Sequence, residues 1–245
     1  MPTPATRVAV VSPHLDDAVL SVGATLASAA RRGVDVTVVT VFAYDLSADA
    51  PAGAWDRSSG FRTVAEAGRA RREEDRLACA AIGATPIWLP FQDHEYAPTR
   101  QPAEVRDSLI DVLSEHDVAL IPGWPLMNPD HRWVVGHLAN RLPTSQVSFY
   151  REQPYACDRL YRAILRRPAG RDPRPAIPKA SAATSPDLSV GAWRAKLRAV
   201  SQYRSQLQQL GPFLRPRLLF YEVVAGGEAL ALQGAPTWVG HSLAR

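Results

Sequence analysis

The feature that most limits the fold of this 245-residue chain is its alternation of short, unbroken apolar runs with longer stretches that carry one apolar face. Arg7 to Ser12 is the first such run, and it has the character of a parallel strand buried on both faces. It stops at Pro13. Asp16 and Asp17 then stand where a helix begins, and Val19, Leu20, Val22, Ala24 and Leu26 supply its apolar face before Gly33 ends it. Val34 to Phe42 is a second β-branched run. Strand, helix and strand of these lengths make a βαβ unit, which is parallel and right-handed.

The pattern continues downstream. Residues 43 to 62 read as a long loop after a strand's carboxyl end, a place that lines ligand sites in open α/β sheets. Val64 to Ile82 predicts a helix closed by Gly83, and its charge run around Arg71 and Arg72 reads most simply as a solvated face. Pro86 to Phe91 predicts a strand, Pro102 to Glu115 a helix, and Val118 to Ile121 a strand followed by a Pro122-Gly123-Trp124-Pro125 loop. Asn128-Pro129-Asp130-His131 enters a helix running towards Leu142, with Pro129 suited to its first turn. Val147 to Tyr150 and Leu218 to Val224 read as strands, Trp193 to Leu210 as a helix, and the proline-rich stretch 166 to 188 as a surface insertion. The expected fold is a single α/β domain over residues 1–245: a Rossmann-like, mostly parallel sheet with helices on both faces.

Composition excludes several function classes. Hydrophobic residues at 46% and charged residues at 21% suit a packed domain better than a disordered chain. The charge balance, 28 − 24 = +4, comes from scattered arginines, and Arg71-Arg72 and Arg166-Arg167 form no basic stripe with interleaved aromatics, so no nucleic-acid partner is expected. Cys79 and Cys157 make neither a disulfide framework nor a CxxC pair. No signal-type apolar core follows the first residues and no apolar run reaches the ~18 residues of a membrane helix, so the expectation is a cytoplasmic protein without a membrane partner.

Chemistry concentrates where the first strand hands over to its helix. His14 and Asp17 are three residues apart, so on a tightening first turn both can reach one spot, while Asp16 projects differently. His131 also sits at a strand-to-helix junction. If strands one and four lie together in the sheet, the three residues form a His2Asp set suited to catalytic Zn2+, with other divalent metals open. Water acidified to a pKa of roughly 7 would then be the nucleophile, and Asp16 its general base. The plain alternative is that Asp16, Asp17 and Asp130 only stabilise helix N-termini, worth about 0.3–1 kcal/mol each. Two acid-plus-histidine clusters at two such junctions favour metal. His94 follows a strand and could reach the site or sit on the surface; His116 suits a helix C-terminus; His137 falls on another helix face from His131; His241 is uninformative.

With these residues in place, the sequence resembles the PIG-L/LmbE-like family of zinc-dependent de-N-acetylases. Pro13-His14-Leu15-Asp16-Asp17 is similar to the family's Pro-His-Pro-Asp-Asp, and Asn128-Pro129-Asp130-His131 to its His-x-Asp-His. Arg72-Glu73-Glu74, Ala80-Ala81-Ile82-Gly83, Lys196 and Tyr203-Arg204-Ser205-Gln206 add support in the family's order. The resemblance implies that His14, Asp17 and His131 ligate metal, that Asp16 activates water, and that Asp130 orients a neighbour. It implies hydrolysis of an N-acyl group, most simply an acetyl group on an amino sugar or related glycoside, in a setting such as antibiotic biosynthesis. Alternatives are an amidase acting on a larger amide, such as a thiol conjugate, and a protein that binds metal or ligand without hydrolysis. Leu15 for proline is a mild departure. Asn128 is a larger one, because an amide donates a hydrogen bond but transfers no proton at ordinary pH; His94 or Asp16 would have to supply that proton. Trp55, Phe61, Arg62 and Asp93, on the long loops, are candidates to shape the substrate pocket, and a homo-oligomer is left open.

Overall fold

Alternate residues of the central strands feed two separate cores. In β1 (Arg7–Ser12), Val8 and Val10 pack on one side of the sheet and Ala9 and Val11 on the other, all with no exposed surface. Burying each large side chain of this kind is worth about 1.5–3 kcal/mol, so the strand has no solvated face and reads as a continuous apolar run. The structure, a computed structural model, describes residues 6–47, 50–99, 101–138, 141–143, 146–157, 184–209 and 227–231. The elements after β1 are α1 (Asp17–Arg31), β2 (Asp35–Thr40), α2 (Ala54–Ser58), α3 (Val64–Ile82), β3 (Thr85–Trp88), α4 (Pro102–Ser114) and β4 (Val118–Trp124). They continue with α5 (Pro129–Leu138), β5 (Val147–Arg151), α6 (Val190–Val200), α7 (Arg204–Gln209) and β6 (Leu230–Ala231). Helices α1, α3 and α6 cover one face, and α4 and α5 the other. No helix among the described residues is long and apolar enough to cross a membrane.

The sheet order is β3-β2-β1-β4-β5-β6, parallel throughout except for β6, which runs antiparallel to β5. The chain winds outward from β1 to β3 and then returns to β4 on the other side of β1. That reversal opens a crevice at the carboxyl ends of β1 and β4, where ligands bind in sheets of this type. The segments beginning at Pro13 and Pro125 therefore emerge side by side.

Some local expectations differ from the structure. Strand β4 runs on through Pro122, which pairs with Tyr150, and a register shift then leaves Gly123 as the unpaired extra residue before Trp124 pairs with Arg151. Gly123 is required there, since a Cβ would stand 2.8 Å from that of Phe149. Helix α6 starts at Val190, earlier than Trp193, because the Ser189 side chain accepts the Ala192 N–H at 3.2 Å as an N-cap. It stops at Val200, and Tyr203 turns inward to donate to Asp75 at 2.7 Å before α7 resumes. The run around Arg71 is not uniformly solvated: Arg71 and Asp75 are buried, Glu73 and Arg76 exposed. Residues 166–183, the strand expected at Leu218 to Val224, and His241 lie outside the described residues; Thr184 pairs with Leu230.

A buried ion pair braces α1. Val22 departs from helical geometry, and the Glu228 carboxylate accepts the Ala24 and Thr25 N–H groups at 2.9 and 2.7 Å, while Lys196 Nζ donates to it at 2.7 Å. Removing one partner of such a pair strands the other charge in the interior, at about 3–5 kcal/mol. Lys196→Met is expected to lower stability by about that amount, and adding Glu228→Gln to recover part of it, both read from urea midpoints.

Candidate metal centre

The turn after β1 is tied before it becomes a helix. Ser12 Oγ donates to the His14 carbonyl at 2.6 Å and accepts the Ala18 N–H at 3.0 Å. The turn drives Asp16 to φ 142°, ψ −31°, a conformation that costs a non-glycine residue about 1–3 kcal/mol. Asp16 begins the helix through its carbonyl, which accepts the Leu20 N–H at 2.9 Å, but its carboxylate caps nothing. It lines a cavity instead. Simple N-capping therefore does not account for this aspartate.

Three donor atoms face one another at the β1/β4 crevice. His14 Nδ1 lies 3.2 Å from His131 Nε2 and 3.3 Å from Asp17 Oδ2, and His131 Nε2 lies 3.0 Å from the same Asp17 oxygen. A tetrahedral cation with bonds of 2.0–2.1 Å has ligand-to-ligand edges of about 3.3–3.4 Å, so the triangle is close to a zinc-sized site. The donor set fits as well, since two imidazole nitrogens and one carboxylate oxygen are ligands that zinc takes in catalytic sites. Each ring is held from behind. Asp130 Oδ2 is 3.1 Å from His14 Nε2, and Glu152 Oε1 makes a short contact with His131 Nδ1 while its other oxygen accepts the Leu126 N–H at 2.7 Å. Carboxylates on the far nitrogen fix tautomer and orientation of metal-binding histidines.

The electrostatics follow from this packing. Burial opposes charge on His14, but hydrogen bonds to Asp130 and Asp17 push its pKa up to about 10. His131 behaves alike, with burial outweighed by Asp17 and Glu152, and reaches about 9. Burial would raise Asp17, yet the charge and hydrogen bond of His131, with those of His14, hold it well below the usual carboxylate range. Burial and the adjacent Asp17 charge push Asp16 well above that range.

A cavity of about 300 Å³ opens over the cluster. His14, Asp16, Asp17, Asn128 and Asp130 line it, as do Trp55 and Asp93. Asp93 is raised by burial; its Oδ1 accepts the Glu95 and Tyr96 N–H groups at 2.9 and 3.3 Å. Trp55 is 41% exposed and its Nε1 donates to Gln206 at 3.1 Å. Two proposed residues stand apart. Arg62 is not among the lining residues, its side chain being 89% exposed and directed at Glu66. His94 is exposed, and it is its backbone N–H that approaches Asp130, at 3.4 Å. Phe61 packs beneath the Arg71 guanidinium. His116 closes α4 with Nδ1 2.9 Å from the Val112 carbonyl, and His137 rests against Trp133.

Sequence reasoning missed Glu152, Tyr155 and Arg71. Glu152 follows β5, so its position at the carboxyl edge was the available sign. Arg71 lies four residues from both Ala67 and Asp75 on the buried stripe of α3. Its Nη1 binds Asp56 at 2.7 Å, while Nε and Nη2 are buried beside the cavity with no partner among the described residues. Tyr155 also lines the cavity, and burial pushes its phenol far above the ordinary value.

A doubly wound sheet with a histidine–carboxylate cluster at its switch point is the architecture of an α/β enzyme with a candidate metal site. The model of the GlcNAc-PI de-N-acetylases (PIG-L) matches residues 9–140, more than half of the chain, and the chain belongs to that family. It is 26% identical to the deacetylase of the A40926 pseudoaglycone, covering 95% of this chain and 100% of that one at a TM-score of 0.73. A triple mutant of a deacetylase of the teicoplanin biosynthetic pathway is also 26% identical, with 92% and 96% covered and a TM-score of 0.71. The N,N'-diacetylchitobiose deacetylase of Pyrococcus horikoshii, 19% identical over 93% and 82% with a TM-score of 0.57, shares the fold. No curated protein sequence matches the chain.

Proposed function

We propose that the protein is a metal-dependent N-deacetylase acting on an acetylated amino sugar carried by a larger small molecule. The observation that carries this reading is the Asp16 carboxylate, which forgoes helix capping to line the same cavity as His14 and Asp17, whose donor atoms meet the buried His131 Nε2 at the cavity floor. Relatives that act on the A40926 pseudoaglycone and on diacetylchitobiose support a glycoside substrate.

A divalent cation held by His14, Asp17 and His131 would polarise the acetamide carbonyl and acidify water to a pKa near 7. Asp16 takes a proton from that water as its oxygen bonds to the carbonyl carbon and the C=O π pair moves onto oxygen. When the C=O re-forms and the C–N bond breaks, Asp16 returns the proton to the departing nitrogen, giving acetic acid and a free amine, which at neutral pH exchange the remaining proton to leave acetate and an ammonium group. Asp130 and Glu152 keep the two rings in register throughout. The Asp93 carboxylate suits the hydroxyls of a sugar, and the half-exposed Trp55 indole offers its apolar face to the ring or aglycone.

Acetate release from N,N'-diacetylchitobiose and p-nitrophenyl N-acetylglucosaminide tests the proposal. Zinc-loaded protein is expected to turn over at least one of them and chelator-stripped protein neither, with activity restored by metal. Full activity in stripped protein would overturn the metal-dependent reading. Loss of turnover on lengthening the acyl chain separates a deacetylase from an amidase for larger groups. Metal-replete protein that is inert towards a panel of acetamides yet stabilised by one of them is instead a binding protein.

A further inference from the structure

Asn128 stands where a histidine is expected in the second motif, and the structure shows what its amide does instead. Its Oδ1 accepts the Asp130 N–H at 2.8 Å, and because an N–H must be met by an oxygen, this bond fixes which end of the amide is which. The Nδ2 end is thereby turned towards Tyr155 and donates to its hydroxyl at 3.3 Å. A phenol that receives a hydrogen bond keeps its own hydrogen to give away. Among the described residues no acceptor takes that hydrogen, and Tyr155 lines the cavity beside His14, Asp16 and Asp17. A buried phenol keeps its hydrogen at neutral pH, so the hydroxyl is available as a donor.

Tyr155 is also held firmly. Its ring meets the His131 ring edge-on, with centroids 5.4 Å apart. The segment before it is anchored by the Glu152 N–H on the Trp124 carbonyl at 2.7 Å and by the Gln153 N–H on Ser21 Oγ at 3.0 Å. A donor that is already aimed costs no reorganisation when charge develops on the substrate.

We infer that Tyr155 donates the hydrogen bond that stabilises the tetrahedral oxygen of the reacting amide, and that Asn128 is its positioning residue. The inference rests on the deacetylase reading above. The hydroxyl hydrogen stays on Tyr155: it bonds to the oxygen that has received the π pair and is released when the C=O re-forms, while proton transfer to nitrogen remains with Asp16. Asparagine at 128 then needs no acidity, only geometry.

The test uses the zinc-loaded full chain with Tyr155→Phe, Asn128→Ala and the double variant, following acetate release and the binding of a methylphosphonamidate of glucosamine, whose tetrahedral phosphoryl oxygen copies the oxyanion. Tyr155→Phe is expected to lower kcat about 100-fold with KM changed less than threefold, and to weaken the phosphonamidate by a similar factor. Zinc content and glucosamine affinity should not move. Asn128→Ala should give a smaller loss, and the double variant should lose no more than Tyr155→Phe alone, since both act through one hydroxyl. Unchanged phosphonamidate binding in Tyr155→Phe, or a loss confined to KM, overturns the inference, as does a larger loss in Asn128→Ala than in Tyr155→Phe. Failure of the wild type to release acetate from any probe overturns the deacetylase reading, and the phosphonamidate comparison still decides the role of Tyr155.

Discussion

Asp16→Asn is expected to reduce acetate release by about 10²–10⁴-fold, the range for losing a positioned general base, with zinc content unchanged. The amide is nearly isosteric but takes no proton from water. The same substitution is expected to raise the melting temperature of the chelator-stripped protein, because the carboxylate occupies a buried place next to Asp17 and no hydrogen bond repays that burial among the described residues. Its carboxyl is raised, so the folded state holds this proton more tightly than the unfolded chain does. Stability on this account falls as pH climbs from the ordinary carboxylate value to the raised one, and the full penalty persists above it. Asparagine removes the penalty at neutral pH. A variant that melts lower and keeps its rate would make Asp16 a structural residue and leave the mechanism without a base.

The parts of the fold that were legible in the sequence are those written in local chemistry. Helix α3 has the expected bounds because Thr63 accepts the Glu66 N–H at its start and Gly83 adopts φ 74° at its end. Strand β1 is a nearly unbroken apolar run and β2 a β-branched one because both their faces are buried. What was illegible depends on neighbours. Pro122 and Gly123 spell a turn, yet pairing of Pro122 and Trp124 with β5 on either side of Gly123 keeps them in the strand. Arg71 and Glu73 stand two apart in one charged run, and only the packing of α3 sends the first inward and the second out. In the site, His14, Asp17 and His131 could be named from their junctions, but their meeting depends on β4 returning beside β1. Glu152 lies 21 residues beyond His131, and no spacing rule joins them; β5 brings it there by pairing with β4. Tyr155 becomes visible only through its bond with Asn128.

Zinc titrated into the chelator-stripped protein is expected to bind more tightly as pH rises, by about 10⁴-fold between pH 6 and pH 8 if both histidines give up a proton. The pKa values of His14 and His131 stand at about 10 and about 9, so both rings are protonated across that window, and each nitrogen must lose its hydrogen before it can bind a cation. Calorimetry in two buffers of different ionisation enthalpy would read the release as about two protons per zinc at pH 7. The stability of the stripped protein should follow the opposite course. Imidazolium–carboxylate contacts raise both histidines above the unfolded value near 6.5, so their contribution is complete below that pH and fades as pH rises through about 9 to about 10. The melting-temperature gain on adding zinc is therefore smallest in acid and largest in mild alkali. Glu152→Gln, which removes the carboxylate behind His131, should weaken zinc by about 10–100-fold and lessen the proton release. Zinc affinity flat from pH 6 to pH 8 would mean that these two rings are not the ligands.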